Sequence, residues 1–452
     1  MSAVPATDPR RPAEEAPAPS SIDRLTGLGN EERLREAVQT IVTERAADPA
    51  PFAVGLANID GFKPINDLFG PAAGDEIICQ VAQRLATCVP DGAAVMRIGG
   101  DEFAFLLPLV FERKGAERVG QRLKDVLAAP FDLGERSVRL SASFGFAIHP
   151  FAGAAFADLM KSADTALYRS KRRGRGQITV YSSEIAQEMK RATQLEQALR
   201  NAIMAGGVDV HFQPIVDLRS DVVVGFEALA RWCDADLGYV SPDVFVPIAE
   251  ERGFIDKLSD MLLRKAAEAA MDWPRELFLS FNLSSAQLTD PSTAGNILSI
   301  IRSVGLSPAR LELEITETAV MTDTEVAHTI VAELRSEGVR IALDDFGTGQ
   351  SSLGRLRDFS FDKVKIDRAF VSRISSDRVS EHIIKAIIAM CEGLGLEVVA
   401  EGIEDFAQAL KLKALGCGLG QGYFYGKPID QRATLRAITE RYQDLAPVAA
   451  SA

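Results

Sequence analysis

Residues 310–347 read RLELEITETAVMTDTEVAHTIVAELRSEGVRIALDDFG. Two short apolar-rich runs, RLELEIT (310–316) and VRIALDDFG (339–347), flank a segment of helical period. A strand, a helix and a second strand in this order predict two parallel strands joined by a crossover. The alternation continues in both directions. VDVHFQPIVDL (208–218), VVVGFEALARW (222–232), LFLSFNLS (277–284), KVKID (363–367), LEVVAEG (396–402) and QGYFYG (421–426) read as strands. The segments between them are mostly helical in period, as over 381–392. The pattern predicts a parallel, TIM-like (β/α)8 barrel over 207–440, followed by a flexible C-terminus at 441–452.

Polar residues sit near the C-terminal ends of these runs: Glu227, Asn282, Glu314, Asp344, Asp345, Lys365, Glu401 and Gln421. A barrel gathers such ends into one mouth. Singly, an acidic residue at a strand end is commonly a helix cap or a turn residue. Together, the carboxylates would repel and raise one another's pKa unless cations sat among them. Oxygen donors without thiols or imidazoles favour Mg2+ or Mn2+. Two such ions suit phosphodiester hydrolysis, and Lys365 supplies a donor to orient or activate the attacking water.

Length and composition are those of a globular protein: 452 residues, 47% hydrophobic and 25% charged. No apolar run is long enough to cross a membrane. The five cysteines form neither a disulfide framework nor a zinc motif, which fits a cytoplasmic protein. The net charge of −13 falls almost wholly on residues 181–452. That acidity argues against a nucleic-acid polymer as partner.

Upstream, residues 1–20 are Pro- and Ala-rich and are expected to form a disordered tail without the apolar core of a secretory signal. An ordered α/β domain is expected over 21–180. Its strands are PFAVGLANID (51–60), a hairpin VMRIGGDEFAFLL (95–107) turning at Gly99-Gly100, and an alternating SVRLSASFGFAI (137–148). Helices are expected at 76–85 and 163–171. A connecting helix is expected at 181–206, ending at Gly206-Gly207.

Taken together, FEALARW, FNLS, LELEITET, IALDDFGTG, KVKIDRAF, VVAEGIE and LGCGLGQGY resemble the ordered motif set of the EAL family of cyclic-di-GMP phosphodiesterases. The resemblance implies hydrolysis of cyclic di-GMP to linear pGpG. It implies metal ligands at Glu227, Asn282, Glu314, Asp344, Asp345 and Glu401, and a water-activating Lys365. Gln213, Leu229, Arg231 and Gln421 match substrate contacts, and Glu317 matches a glutamate bracing the loop after Asp345. That loop usually reads DFGTGYSS; here Gln350 replaces the tyrosine, which bears on regulation rather than on a ligand.

The first half resembles GGDEF diguanylate cyclases through DRLTGLGN (23–30), FKPIND (62–67), GDE (74–76), GGDEF (99–103), SFGFA (143–147) and ADTALYRSKRRGR (163–175). The resemblance implies a mainly antiparallel sheet flanked by helices and a GTP/Mg2+ site. Lys63, Lys171 and Arg175 match phosphate contacts, Asn66 and Asp75 guanine contacts, and Gly99, Gly100, Asp101 and Glu102 the hairpin that cradles the nucleotide. Three departures weaken synthesis. Asn58 replaces the first aspartate of the family's Asp-x-Asp, a metal ligand. Gly70-Pro71 replaces Gly-His, and Glu31 replaces a common arginine. The product-inhibition RxxD is absent, with Pro90, Asp91, Gly92 and Ala93 in its place. The expectation is a phosphodiesterase whose cyclase-like domain binds GTP as an effector, with a bifunctional enzyme and a non-catalytic receptor as the alternatives. A homodimer is implied by resemblance. With about 20 residues before the first domain, no separate sensory domain is expected.

Overall fold

The computed structural model describes residues 21–45, 50–134, 136–317, 319, 324–347 and 359–445, the last five by backbone alone. The expected tail at 1–20, Gln350 and residues 446–452 lie outside the described residues. The chain divides into two compact units, Met1–Thr193 and Gln194–Ala452. The helix Ser183–Ala205 contains the boundary.

In the first unit, β1 (Phe52–Asp60), β2 (Ala94–Gly99), β3 (Glu102–Leu107), β6 (Ser141–His149) and β7 (Ile178–Val180) form a sheet in the order β2-β3-β1-β6-β7. All pairs are antiparallel except β6–β7. β4 (Phe131–Leu133) and β5 (Arg136–Val138) form a separate small hairpin. The run expected as one strand over 137–148 is therefore split. β6 is also buried along nearly all its length, because helices cover both faces of the sheet.

Side chains alternate between two cores, as a strand dictates. Phe103, Phe105 and Leu107 join Ile77, Val81 and Leu123 on one face, and Ala104 and Leu106 join Leu34, Leu159 and Ala163 on the other. At Gly145 a Cβ would strike the backbone of Ala163 and Leu167, so the helix Phe156–Arg172 can lie directly on β6 only over a glycine. The hairpin turn carries Gly100 at φ 51, which suits glycine.

The second unit is a closed barrel. β8 (Val208–Asp217), β9 (Val222–Asp234), β10 (Gly238–Val240), β11 (Phe278–Asn282), β12 (Leu311–Thr316), β13 (Arg340–Phe346), β14 (Lys363–Ile366), β15 (Glu397–Ala400) and β16 (Leu419–Gln421) run in the order β10-β9-β11-β12-β13-β14-β15-β16-β8, and β8 pairs with β9 to close it. Only β10 hangs outside the ring.

Three expectations are corrected here. The barrel is not wholly parallel, since β8 is antiparallel to both neighbours. The link from β8 to β9 spans only 218–221, too short for a crossover, so the two strands form a hairpin. The last strand is 419–421 rather than 421–426, since the chain then folds into a turn in which the Tyr425 N–H donates to the Gly422 carbonyl at 3.1 Å. The final helix, Gln431–Leu445, runs five residues into the stretch expected to be flexible.

Alternation also builds the barrel interior. On β12, Leu311, Leu313 and Ile315 face the helices, so Glu312 and Glu314 face inward. On β14, Val364 and Ile366 face out and Lys363 and Lys365 face in. Two charged tiers result. In the lower one Lys363 Nζ lies 2.7 Å from Glu312 and 3.9 Å from the centre of the Phe278 ring. Ile215, Phe278, Val399 and Leu419 pack together as a separate apolar cluster. The upper tier carries the candidate site.

Candidate active site at the barrel mouth

Lys365 is 2% exposed and stands among four carboxylates. Its Nζ lies 2.5 Å from Glu314, 2.6 Å from Glu401, 3.5 Å from Asp344 and 3.9 Å from Glu227. Each comes from a different strand or strand end: Glu227 on β9, Glu314 on β12, Asp344 on β13, and Glu401 directly after β15.

Amides and a hydroxyl fix the carboxylates. Asn282, the last residue of β11, donates to Glu227 Oε1 at 2.7 Å. Gln421 donates to Glu227 Oε2 at 2.5 Å and to Gln213 Oε1 at 3.1 Å. Gln213 in turn donates to the carbonyl of Gly426 at 3.1 Å. Ser280 donates to Glu314 Oε1 at 2.7 Å.

Neighbouring strand residues normally face opposite sides of a sheet. Asp344 and Asp345 escape that rule. β13 breaks register with β14 between Leu343 and Phe346, and Asp345 takes φ 56. This bulge lets Asp344, Asp345 and Glu401 bring one oxygen each within 4.8 Å of one another.

The electrostatics follow from one cation serving several anions. Burial and its carboxylate neighbours push Glu314 well above the usual carboxylate range, against the pull of Lys365. Burial pushes Glu401 up to about 8; Lys365 opposes the rise, and Asp344 and Glu227 add to it. Burial and Asp344 also raise Asp345. Glu227 is held below its ordinary value despite burial, by Lys365 and by the amides of Gln421 and Asn282. The carboxylates outweigh the burial of Lys365 and raise its pKa well above the ordinary lysine value, so it stays a cation. The group thus has oxygen donors and an excess of negative charge, the conditions under which hard divalent cations bind.

Two cavities flank this group. One of about 250 Å³ is lined by Gln213, Glu227, Lys365, Glu401 and Gln421. The other, about 460 Å³ and largely apolar, is lined by Pro242, Val246, Glu250, Asn282 and Asp345. Leu229 and Asp344 line both. Arg231 is half-buried on β9, donates to the Ala230 carbonyl at 2.7 Å, and lines neither cavity. Glu317 lies in the turn after β12, half-buried; the loop it is expected to brace falls outside the described residues.

Sequence reasoning missed Ser280, although it lies two residues before Asn282 on the same face of β11. It also missed Arg368, Glu404 and Tyr423, which line the smaller cavity. Arg368 pairs with Glu404 at 2.5 Å; both lie inside the motifs KVKIDRAF and VVAEGIE that were read for other residues.

In the first unit, Asp101 and Glu102 sit at the β2–β3 hairpin, and Asn58 lies opposite Glu102 in the register of β1 with β3. The replaced ligand position therefore adjoins the acidic pair. Asn66 points its amide oxygen over Gly74, next to exposed Asp75; a Cβ at Gly74 would displace that amide. Lys63 is exposed at the start of the helix Phe62–Phe69. Lys171 and Arg175 lie at the end of the helix Phe156–Arg172 and just beyond it.

Residues 196–428 match the family model of the EAL domain, and residues 20–177 match that of the diguanylate cyclase, GGDEF domain. Over 420 residues the chain is 32% identical to the bifunctional diguanylate cyclase/cyclic di-GMP phosphodiesterase MucR of Pseudomonas aeruginosa, covering 92% of this chain and 61% of that protein. Over 429 residues it is 33% identical to the cyclic di-GMP phosphodiesterase NbdA of the same organism, covering 94% of this chain and 55% of the relative. The solved structure of PaMucR phosphodiesterase in complex with c-di-GMP aligns with a TM-score of 0.51 at 33% identity, over 53% of this chain and 99% of that one. The chain spans 50% of the length of the first two curated relatives it matches. Among the described residues no helix is long and apolar enough to cross a membrane. The chain belongs to the family of proteins that carry a GGDEF domain and an EAL domain in tandem.

Proposed function

We propose that this protein hydrolyses cyclic di-GMP to linear pGpG at the barrel mouth, and that its GGDEF domain binds GTP as an effector. The observation that carries the reading is the single buried lysine among four carboxylates, flanked by two cavities that share Leu229 and Asp344. Glu227, Asn282, Glu314, Asp344, Asp345 and Glu401 would hold two Mg2+ or Mn2+ ions. Bound there, the ions supply Lewis acidity to the scissile phosphodiester and to the attacking water.

The chain's own residues do the rest. Lys365 is cationic, so it orients the water rather than taking its proton. Glu401, whose carboxylate lies 2.6 Å from Lys365 Nζ, stands beside that water to accept the proton. Gln213, Leu229 and Gln421 line the substrate cavity, and Arg231 supplies a guanidinium for a phosphate. Glu317 braces the loop that follows Asp345. Lys63, Asn66, Asp75, Gly99, Gly100, Asp101, Glu102, Lys171 and Arg175 hold GTP with Mg2+. The protein works as a homodimer in the cytoplasm.

The test follows nucleotides separated from a reaction of cyclic di-GMP with purified chain and Mg2+, with and without GTP. The expected product is pGpG, formed faster with GTP and lost in Glu227→Ala. Tight binding without turnover in saturating Mg2+ or Mn2+ would overturn the reading. A bifunctional enzyme is the second reading, favoured by the intact Gly99–Glu102 hairpin and opposed by Asn58 beside it. Accumulation of cyclic di-GMP by Glu227→Ala given GTP alone would establish it.

A further inference from the structure

Asp60 belongs to none of the roles above, yet its carboxylate is among the most fully engaged in the first unit. Ser141 Oγ donates to its Oδ2 and Ser143 Oγ to its Oδ1, both at 2.8 Å, and the backbone N–H of Gly176 donates to Oδ2 at 2.9 Å. Ser143 Oγ also meets the Gly176 N–H at 3.1 Å. Asp60 ends β1, whereas Gly176 ends the basic turn after the helix Phe156–Arg172. The carboxylate therefore ties the sheet to that turn.

The turn needs such a tie. Gly174, Arg175 and Gly176 have φ of 101, 56 and 57. The left-handed region is unfavourable for arginine, and such a residue persists only where its surroundings over-determine it. Arg175 is held from both sides. Its own N–H donates to the Lys171 carbonyl at 3.2 Å, and the next N–H is the one Asp60 binds.

From this geometry we infer that Asp60 is a positioning residue: it fixes the left-handed turn that presents Arg175 to the terminal phosphates of the nucleotide. The inference rests on the reading of the first unit as a GTP site. Asn58 and Asp60 share one face of β1, and the donors on both oxygens of Asp60 aim its carboxylate at Ser141, Ser143 and Gly176.

The test uses the full chain with Mg2+ and titrates GTP and GMP into wild type, Asp60→Ala, Asp60→Asn and Arg175→Ala. GMP shares the base and sugar but lacks the outer phosphates. Asp60→Ala is expected to weaken GTP about tenfold while leaving GMP within about twofold. In an Arg175→Ala background the same change is expected to add less than about twofold. Trypsin is expected to cut after Arg173 or Arg175 faster in Asp60→Ala. If that variant does not fold, Asp60→Asn carries the comparison, because asparagine keeps the shape and loses the charge. Equal loss of GTP and GMP affinity would overturn the inference, as would unchanged GTP affinity and unchanged cleavage. A wild type that binds GMP and GTP equally, or neither, would overturn the reading of the nucleotide site itself and the inference with it.

Discussion

Lys365 decides how the barrel mouth behaves without metal. It offers one positive charge to four carboxylates, so protons must neutralise part of the remainder. The sign of the pH effect follows. Glu401 lies near 8 in the folded chain, above the ordinary 4.5, and Glu314 is raised in the same direction. The folded state thus binds these protons more tightly than the unfolded chain does. Stability from this source is full below about pH 4.5 and drains away as the pH climbs through 8. Metal-free protein is expected to melt at a lower temperature at pH 8.5 than at pH 6.5. Saturating Mg2+ should raise the melting point more at the higher pH. Calorimetric scans at the two pH values, with and without Mg2+, check both; a metal-free melting point that rises between them would refute the assignment. Lys365→Met should cut pGpG formation by about 10²- to 10⁴-fold, measured at saturating cyclic di-GMP.

Among the elements, β1 carries the residue that separates the two readings of the first unit. Asn58 adjoins Glu102 across the sheet, so Asn58→Asp returns a negative charge to the acidic hairpin. Placed in a Glu227→Ala background, it is expected to raise cyclic di-GMP synthesis from GTP above that of Glu227→Ala alone. No gain would mean that Gly70-Pro71 or another departure limits synthesis. On β6, Gly145→Val should destabilise the first unit by about 1–3 kcal/mol, read from urea unfolding, because the added atoms meet helix backbone, which cannot swing aside.

The same elements explain what sequence could and could not reveal. Outward Leu, Ile and Val on β12 to β15 made the strands and their helical crossovers readable. Alternation is blind to direction, so nothing inside VDVHFQPIVDL marks a strand that runs against its neighbours; the sign was the gap of three residues before VVVGFEALARW, too short for a crossover. The three-residue β16 sits among four glycines, too short to show a period. Glu312 and Lys363 repeat the spacing of Glu314 and Lys365 one step earlier, and only the fold tells the lower tier from the mouth. The pairing of Asp344 with Asp345 was visible as a dipeptide, but the bulge that lets both serve one site was not.

For the whole molecule, the charge division and the family membership point the same way: a compact acidic barrel preceded by a domain of balanced charge. If GTP acts as an effector, cyclic di-GMP turnover should rise with GTP and saturate where the first unit saturates. Asp75→Ala should shift both curves together, and a rate curve that stays put while the binding curve moves would separate the nucleotide site from control of hydrolysis.

The reversed direction of β8 decides where the chain enters the barrel. Val208 pairs with Trp232, so β8 begins beside the late residues of β9, beyond Glu227, and descends toward the barrel floor. In a barrel whose first strand ran parallel to the rest, incoming chain would join at the floor, roughly 15 Å below the Gln213–Glu227 pair. Within the second unit, chain leaving Ala205 enters the barrel from its mouth end, and of this hairpin the floor receives only the tight return at 218–221.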